Sequence, residues 1–289
     1  MSIATETETA PAASSQAADI PGFLELEITQ FCQLKCAHCY SESGPDKGRG
    51  TMTPDDWRRL MDEAASIGVR TVQFIGGEPT LDPDMPALAR YALGIGLGVN
   101  IRTNLVHVTP EMWELFQQPG VSVGISWYSA DPARHAEVTG SKASHARTRA
   151  NIIEAVRRGI PLHAGVTEVV DGQDIDAAVS ELRELGVTSI KTDRARGVGR
   201  AAGGAEPAIS ELCGQCGKGR AAIGMDGQLT PCVLGRFLVA GNVRDTPLAD
   251  LFAGDAWREI LTSVPELSAC STCQPADGND CDPSRKPAA

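Results

Sequence analysis

Short apolar runs rich in valine and isoleucine recur along the first two thirds of the chain, at 23–29, 71–75, 99–103, 121–127, 162–169 and 189–193, and each reads as a β-strand. Helical patterns fill the gaps. Trp57, Leu60, Met61 and Ala64 fall on one helical face. Thr53 is placed to cap that helix, Pro54 suits its first turn, Asp55 and Asp56 favour its positive end, and Gly68 can terminate it. Ile175, Ala178, Val179, Leu182 and Leu185 repeat the pattern, with Gly186 as the stop before the sixth strand. Such alternation predicts an α/β protein with a parallel sheet and right-handed crossovers, either an open sheet or a barrel. Its chemistry would sit at the carboxyl ends of the strands.

Beyond Asp193 the character changes. Two arginines, glycines and Arg200 lead into an Ala- and Gly-rich stretch at 201–205, which reads as a boundary between a part spanning 21–200 and a smaller part spanning 201–289. The smaller part offers strand-like pieces at 221–223 and 229–233 and one helix at 248–261. It is loop-rich and needs staples, which metal would supply. Residues 1–20 are Ala, Thr, Ser and Glu without the order of a targeting peptide, and read as a disordered tail. With 289 residues and a formal charge of −11, the chain can bury a barrel-sized core and lacks a basic face for nucleic acid. No apolar stretch is long enough for a bilayer, so the expectation is a soluble, cytoplasmic protein without a membrane partner.

Nine cysteines change the picture, because an odd number without an export signal argues for metal rather than disulfides. Cys32, Cys36 and Cys39 form CxxxCxxC directly after the first strand, and offer three thiolates to one iron-sulfur cluster. A fourth iron would then have no protein ligand, and an open coordination position is where a substrate or cofactor binds. Alone, the motif also fits part of a zinc site or chance. At the end of the second strand stand Gly76, Gly77, Glu78 and Pro79: two glycines let a ligand approach the backbone, and a carboxylate can receive an ammonium group. By itself this could be a tight turn.

Together the two motifs resemble the radical SAM superfamily, and the resemblance spans residues from about 21 to 283. It implies a partial (β/α)6 TIM-like barrel in which Cys32, Cys36 and Cys39 carry a 4Fe-4S cluster whose unique iron is chelated by S-adenosylmethionine. Gly76, Gly77, Glu78 and Pro79 would contact the methionyl amine. His38 or Tyr40 would lie near the adenine, and Thr103, Asn104 and Ser126 would surround the ribose and carboxylate. The stretch at 139–148 resembles a segment of the peptide-modifying branch, which makes Arg147 a candidate for contact with the cofactor, against a plain solvated arginine. Cys216, Gly227 and Cys232, or Cys213 in place of Cys216, fit the spacing of SPASM and twitch extensions, with Cys270 and Cys273 as the downstream pair. Cys281 departs from the full SPASM pattern. The resemblance therefore implies a small C-terminal, cysteine-rich domain holding at least one auxiliary 4Fe-4S cluster, with a zinc knuckle as the bland alternative.

The activity so implied is reductive cleavage of S-adenosylmethionine to a 5'-deoxyadenosyl radical that abstracts a substrate hydrogen. The first expectation is a maturase that oxidises or cross-links a ribosomally made peptide. The alternatives are a peptide epimerase, with a leftover thiol as hydrogen donor, and a small-molecule dehydrogenase or decarboxylase of sugar-antibiotic type. A metal-binding scaffold without catalysis is disfavoured by the two intact motifs. An external electron donor such as a flavodoxin or ferredoxin is required. With no leader-binding domain read before the barrel, the precursor is expected to dock on the barrel itself or through a separate leader-peptide-binding protein. His107, His135, His145 and His163 show no ligand spacing and read as ordinary barrel or surface residues. Asp193, Arg194 and Arg196 stand at the active end, as binding groups or as salt-bridge partners.

Overall fold

The computed structural model describes residues 20–264. The predicted tail up to residue 19, and Cys270, Cys273 and Cys281, lie outside them. Six strands, β1 (Phe23–Thr29), β2 (Thr71–Gly76), β3 (Gly98–Thr103), β4 (Val121–Trp127), β5 (Leu162–Glu168) and β6 (Ser189–Arg194), run parallel in chain order. Helices α1 (Pro54–Ser66), α2 (Met85–Gly94), α3 (Pro110–Phe116), α4 (Pro132–Thr139), α5 (Ser144–Arg157) and α6 (Ile175–Glu184) fill the crossovers. This is the partial barrel of six strands that the alternation and the resemblance implied.

The local chemistry explains the elements. Thr53 accepts from Asp56 N while the Asp56 carboxylate accepts from Thr53 N, a reciprocal cap that starts α1. Trp57, Leu60, Met61 and Ala64 are then buried against Leu24, Leu26 and Ile28 of β1 in the main core. All seven residues of β1 are buried, as expected of a central parallel strand covered on both faces. Its alternate residues Glu25 and Glu27 are carboxylates, so the face of β1 opposite the leucines carries charge into the interior.

After β6 the chain returns to the middle of the fold. Strand β7 (Arg220–Ile223) pairs parallel with β1, and β8 (Gln228–Thr230) and β9 (Gly241–Asn242) follow antiparallel, giving the order β6-β5-β4-β3-β2-β1-β7-β8-β9. Ala221, Ile223, Leu229 and Val243 join the same core as the barrel strands. Two details differ from the sequence reading. The strand expected at 229–233 stops at Thr230, where Pro231 has no N–H to continue the ladder. The single helix expected at 248–261 is two, α7 (Leu248–Ala253) and α8 (Asp255–Ser263). Gly254 between them is extended (φ −73°, ψ 157°) and donates back to Leu251 O, yet Leu248, Leu251, Phe252, Trp257 and Ile260 keep an apolar face across the break.

Candidate active site

The loop that leaves β1 carries the first three cysteines to the carboxyl end of the barrel. Leu34 N donates to Cys32 Sγ (3.4 Å) and Ser43 N to Cys39 Sγ (3.4 Å), while Asn104 Nδ2 lies 3.7 Å from Cys32 Sγ. The end of α4 holds the loop from one side, through Lys35 N to Thr139 O and Ala37 N to Val138 O. All three thiols open into one recess of about 1030 Å³, solvent at its mouth included. Burial pushes the Cys32 thiol well up and the Cys36 thiol up to about 12, the second effect partly opposed by Arg200. Left as free acids Cys32 and Cys36 stay neutral, and a bound metal cation would favour their thiolates.

Gly76 and Gly77 also line the recess, and they do more than admit a ligand. A Cβ on Gly76, at φ +140°, would lie 2.2 Å from Thr29 O, and one on Gly77 would lie 2.2 Å from Phe31 O. The glycines let the end of β2 press against the backbone that leads into Cys32. Glu78 beside them is fully buried. Its Oε1 accepts from Thr80 N (3.2 Å) and Thr80 Oγ1 (2.7 Å), and its Oε2 accepts from Asn104 N (2.7 Å). Burial nevertheless raises its carboxyl above the usual range, against those hydrogen bonds. Glu78 and Pro79, which opens the turn Pro79–Leu81, therefore brace the loops, and neither is among the residues that line the recess.

Of the other predicted groups, His38, Tyr40, Thr103, Asn104 and Ser126 all line the recess, whereas Arg147 sits exposed on α5, outside it. Sequence reasoning missed Arg102, Tyr128, Thr167 and Arg200, which line it too, and placed Arg196 only as one of two options. Tyr128 meets the His38 ring edge-on at 5.1 Å and bonds Cys36 and Ser126 through its hydroxyl. Its only signal was its place just past the end of the fourth strand.

Below the recess the barrel is polar. Arg102 Nε donates to Gln73 Oε1 (3.3 Å), Gln73 Nε2 to Glu25 Oε1 (3.3 Å), and Val233 N to Glu25 Oε2 (3.1 Å). Burial lifts the Glu25 carboxyl to about 7 despite Arg220, Val233 N and Arg102 beside it. Glu27 pairs with Arg236 at 2.7 Å.

Beyond this network lies a second thiol group. Cys213, Cys216 and Cys232 are buried together, with Cys216 Sγ 3.1 Å from Cys232 Sγ and Gly235 N donating to Cys232 Sγ (3.2 Å). Hydrogen bonds with Cys213 and Cys232, then burial, drive the Cys216 thiol far above its ordinary range. Tyr40 packs against this cluster as well as lining the recess, and its buried hydroxyl finds no hydrogen-bond partner among the described residues. Val264, the last described residue, packs in the same cluster. Both thiol sets suit sulfur-rich inorganic clusters in their chemistry, with thiols on a shared wall, apolar surroundings and N–H groups aimed at sulfur, although among the described residues no three of them stand at the spacing that grips a single metal ion.

Comparison with known proteins agrees with these two sets. Residues 26–185 match the family model for the radical SAM superfamily. The chain belongs to that superfamily. Residues 213–274 match the model for the SPASM iron-sulfur cluster-binding domain, a span that includes Cys213, Cys216, Cys232, Cys270 and Cys273 and leaves Cys281 beyond its end. A radical SAM protein of this kind uses a 4Fe-4S cluster with S-adenosylmethionine, and its SPASM part holds auxiliary iron-sulfur. Among relatives, an AdoMet-dependent heme synthase of Methanosarcina barkeri is 32% identical over 148 residues, 51% of this chain and 42% of its own length. A PqqA peptide cyclase of Rhodopseudomonas palustris is 33% identical over 129 residues, 44% of this chain and 34% of its own. The chain thus spans less than half the length of these curated relatives. Streptococcus suis SuiB, solved bound to its precursor peptide SuiA, superimposes with a TM-score of 0.72 at 16% identity over 84% of this chain and 67% of its own, a likeness of fold. Among the described residues no helix is long and apolar enough to cross a membrane.

Proposed function

We propose that this radical SAM protein modifies a ribosomally made peptide by hydrogen abstraction followed by oxidation or cross-link formation. The observation that carries the reading is the meeting of Cys32, Cys36 and Cys39 with Gly76, Gly77, Asn104 and Ser126 around one recess, with a second buried thiol set behind Tyr40. Cys32, Cys36 and Cys39 would hold the cluster that binds S-adenosylmethionine. Gly76, Gly77, His38, Thr103, Asn104 and Ser126 would hold the S-adenosylmethionine beside it. Cys213, Cys216 and Cys232, completed from the segment carrying Cys270 and Cys273, would hold an auxiliary 4Fe-4S cluster. When bound, the pair in the recess supplies one-electron cleavage and a carbon-centred radical.

The chain's own part is placement and exclusion. Leu34, Ile75 and Ile125 give the recess apolar walls that keep water and stray hydrogen donors from a radical centre. Glu25 and the Arg102–Gln73 chain offer a buried carboxyl near neutrality between the recess and the second thiol set, where a proton released on oxidation can be held. A peptide substrate is supported by the likeness to the PqqA peptide cyclase and to the fold of SuiB. A flavodoxin or ferredoxin would supply electrons, and a separate leader-peptide-binding protein would present the substrate. The heme synthase relative favours a second reading, a small-molecule oxidation or decarboxylation.

The test is incubation of the anaerobically reconstituted protein with S-adenosylmethionine, reductant and the short peptide encoded beside its gene. Loss of two hydrogens from the peptide supports oxidation or cross-linking. Unchanged mass in ordinary water, with a gain of one mass unit in deuterated water, indicates epimerisation, and 5'-deoxyadenosine formed with no peptide change shifts the assignment to a small molecule.

A further inference from the structure

The sheet ends at β6, so the barrel is open beyond that strand, and the segment leaving β6 crosses the gap to reach the cysteine loop. Gly199 makes the crossing possible. It sits at φ +61°, and a Cβ there would lie 2.3 Å from Tyr40 O and 2.5 Å from Cys39 O. The next residue grips the loop at three carbonyls. Arg200 N donates to Cys39 O (3.0 Å), Arg200 Nε to Cys36 O (2.7 Å) and Arg200 Nη2 to Ser43 O (2.8 Å). The half-buried side chain lines the recess, and its charge acts on the Cys36 thiol there.

We propose that Arg200 is a positioning residue that locks the three-thiol loop and raises the reduction potential of the cluster held there. This rests on the reading of that site given above. Two physical effects are separable. The first is geometric: a planar fork with donors at fixed angles satisfies two carbonyls at once while the backbone N–H takes a third, and an ammonium group cannot copy it. The second is electrostatic: a fixed positive charge close to an iron-sulfur cluster favours the state carrying one more electron, and net charge nearby is a main determinant of cluster potential. The same segment runs on through Leu212 to Cys213, and Val198 packs with Cys213, Cys216 and Cys232, so one stretch of chain touches both thiol sets. Closing the open side of the barrel and setting up its redox centre are the work of adjacent residues.

The experiment uses the full chain, reconstituted anaerobically, as wild type, Arg200→Gln, Arg200→Lys and Gly199→Ala. Two readouts are taken: the rate at which a chelator removes iron, and the midpoint potential of the cluster whose electron paramagnetic resonance signal changes on adding S-adenosylmethionine. Arg200→Gln should shift the reduced-to-oxidised ratio about tenfold towards oxidised at fixed poise, about 59 mV for one electron. It should also lose iron several-fold faster. Arg200→Lys and Gly199→Ala keep the charge, and should lose iron faster while holding a potential near wild type. An Arg200→Gln protein with wild-type potential and wild-type iron loss overturns the proposal. A potential in Arg200→Lys as low as in Arg200→Gln overturns its electrostatic half. Wild-type protein with no cluster that responds to S-adenosylmethionine removes the underlying reading itself.

Discussion

Replacing Gly77 by alanine adds one methyl group where the end of β2 meets the cysteine loop. That carbon would lie 2.2 Å from Phe31 O, 2.6 Å from Phe31 C and 2.8 Å from Gln30 O, all backbone atoms. Ordinary contact begins near 3.4 Å, so the two segments must separate by 3.4 − 2.2 = 1.2 Å. Overpacking of this kind costs about 1–3 kcal/mol. The separation also strains Gly77 N to Thr29 O (2.7 Å) and Glu78 N to Phe31 O (2.9 Å). Each such bond contributes about 0.5–1.5 kcal/mol. A total of about 2–6 kcal/mol is expected, against a whole-domain stability of about 5–15 kcal/mol. Because Phe31 precedes Cys32, iron at the first site should fall too. The control is Gly94→Ala, the same chemical change at the end of α2, where an added Cβ meets nothing within 4 Å. It should be neutral or stabilising by up to about 1 kcal/mol. Anaerobic urea unfolding, with iron counted on the same samples, decides the matter. If the two variants unfold within about 0.5 kcal/mol of each other with equal iron, the close-approach reasoning is wrong.

Three further outcomes follow from other parts of the molecule. Burial, then His145, lowers His135 from its ordinary 6.5 to about 4. Between those values the unfolded chain binds more protons than the folded one, so stability is complete above pH 6.5 and falls as pH drops towards 4, by about 3 kcal/mol; His135→Phe should flatten that limb in urea titrations at stepped pH. Thr53→Ala removes the cap of α1 and should cost about 1 kcal/mol, read as a lower urea midpoint at unchanged slope. A Cys32, Cys36 and Cys39 triple alanine variant should keep about four irons per chain on the auxiliary site, and an iron-free variant would sink that site.

The strands and the helix faces were legible because burial in a parallel sheet writes itself locally, as apolar runs separated by a 3.6-residue pattern. The first cysteines were legible for the same reason, since CxxxCxxC holds three ligands within one loop. Other groups were not. The apolar spacing from Leu248 to Ile260 survives the extended Gly254, so it concealed a break between α7 and α8. Tyr128, Arg102 and Arg200 reach the recess from three different segments, and apart from the strand ends beside Tyr128 and Arg102 nothing in the sequence announces that meeting. Arg147 shows the opposite case, a motif position that faces outward on α5.

Sequence alone therefore determined the superfamily, the parallel architecture and the thiol loop, because each depends on residues close together along the chain. Tertiary structure decided what those pieces touch. It placed β7 beside β1, made Glu78 a brace rather than an open carboxylate, and brought Arg200 across the open side of the barrel onto Cys36 and Cys39. These are contacts between residues far apart in the chain, set by how the sheet folds back on itself, and local pattern carries no information about them.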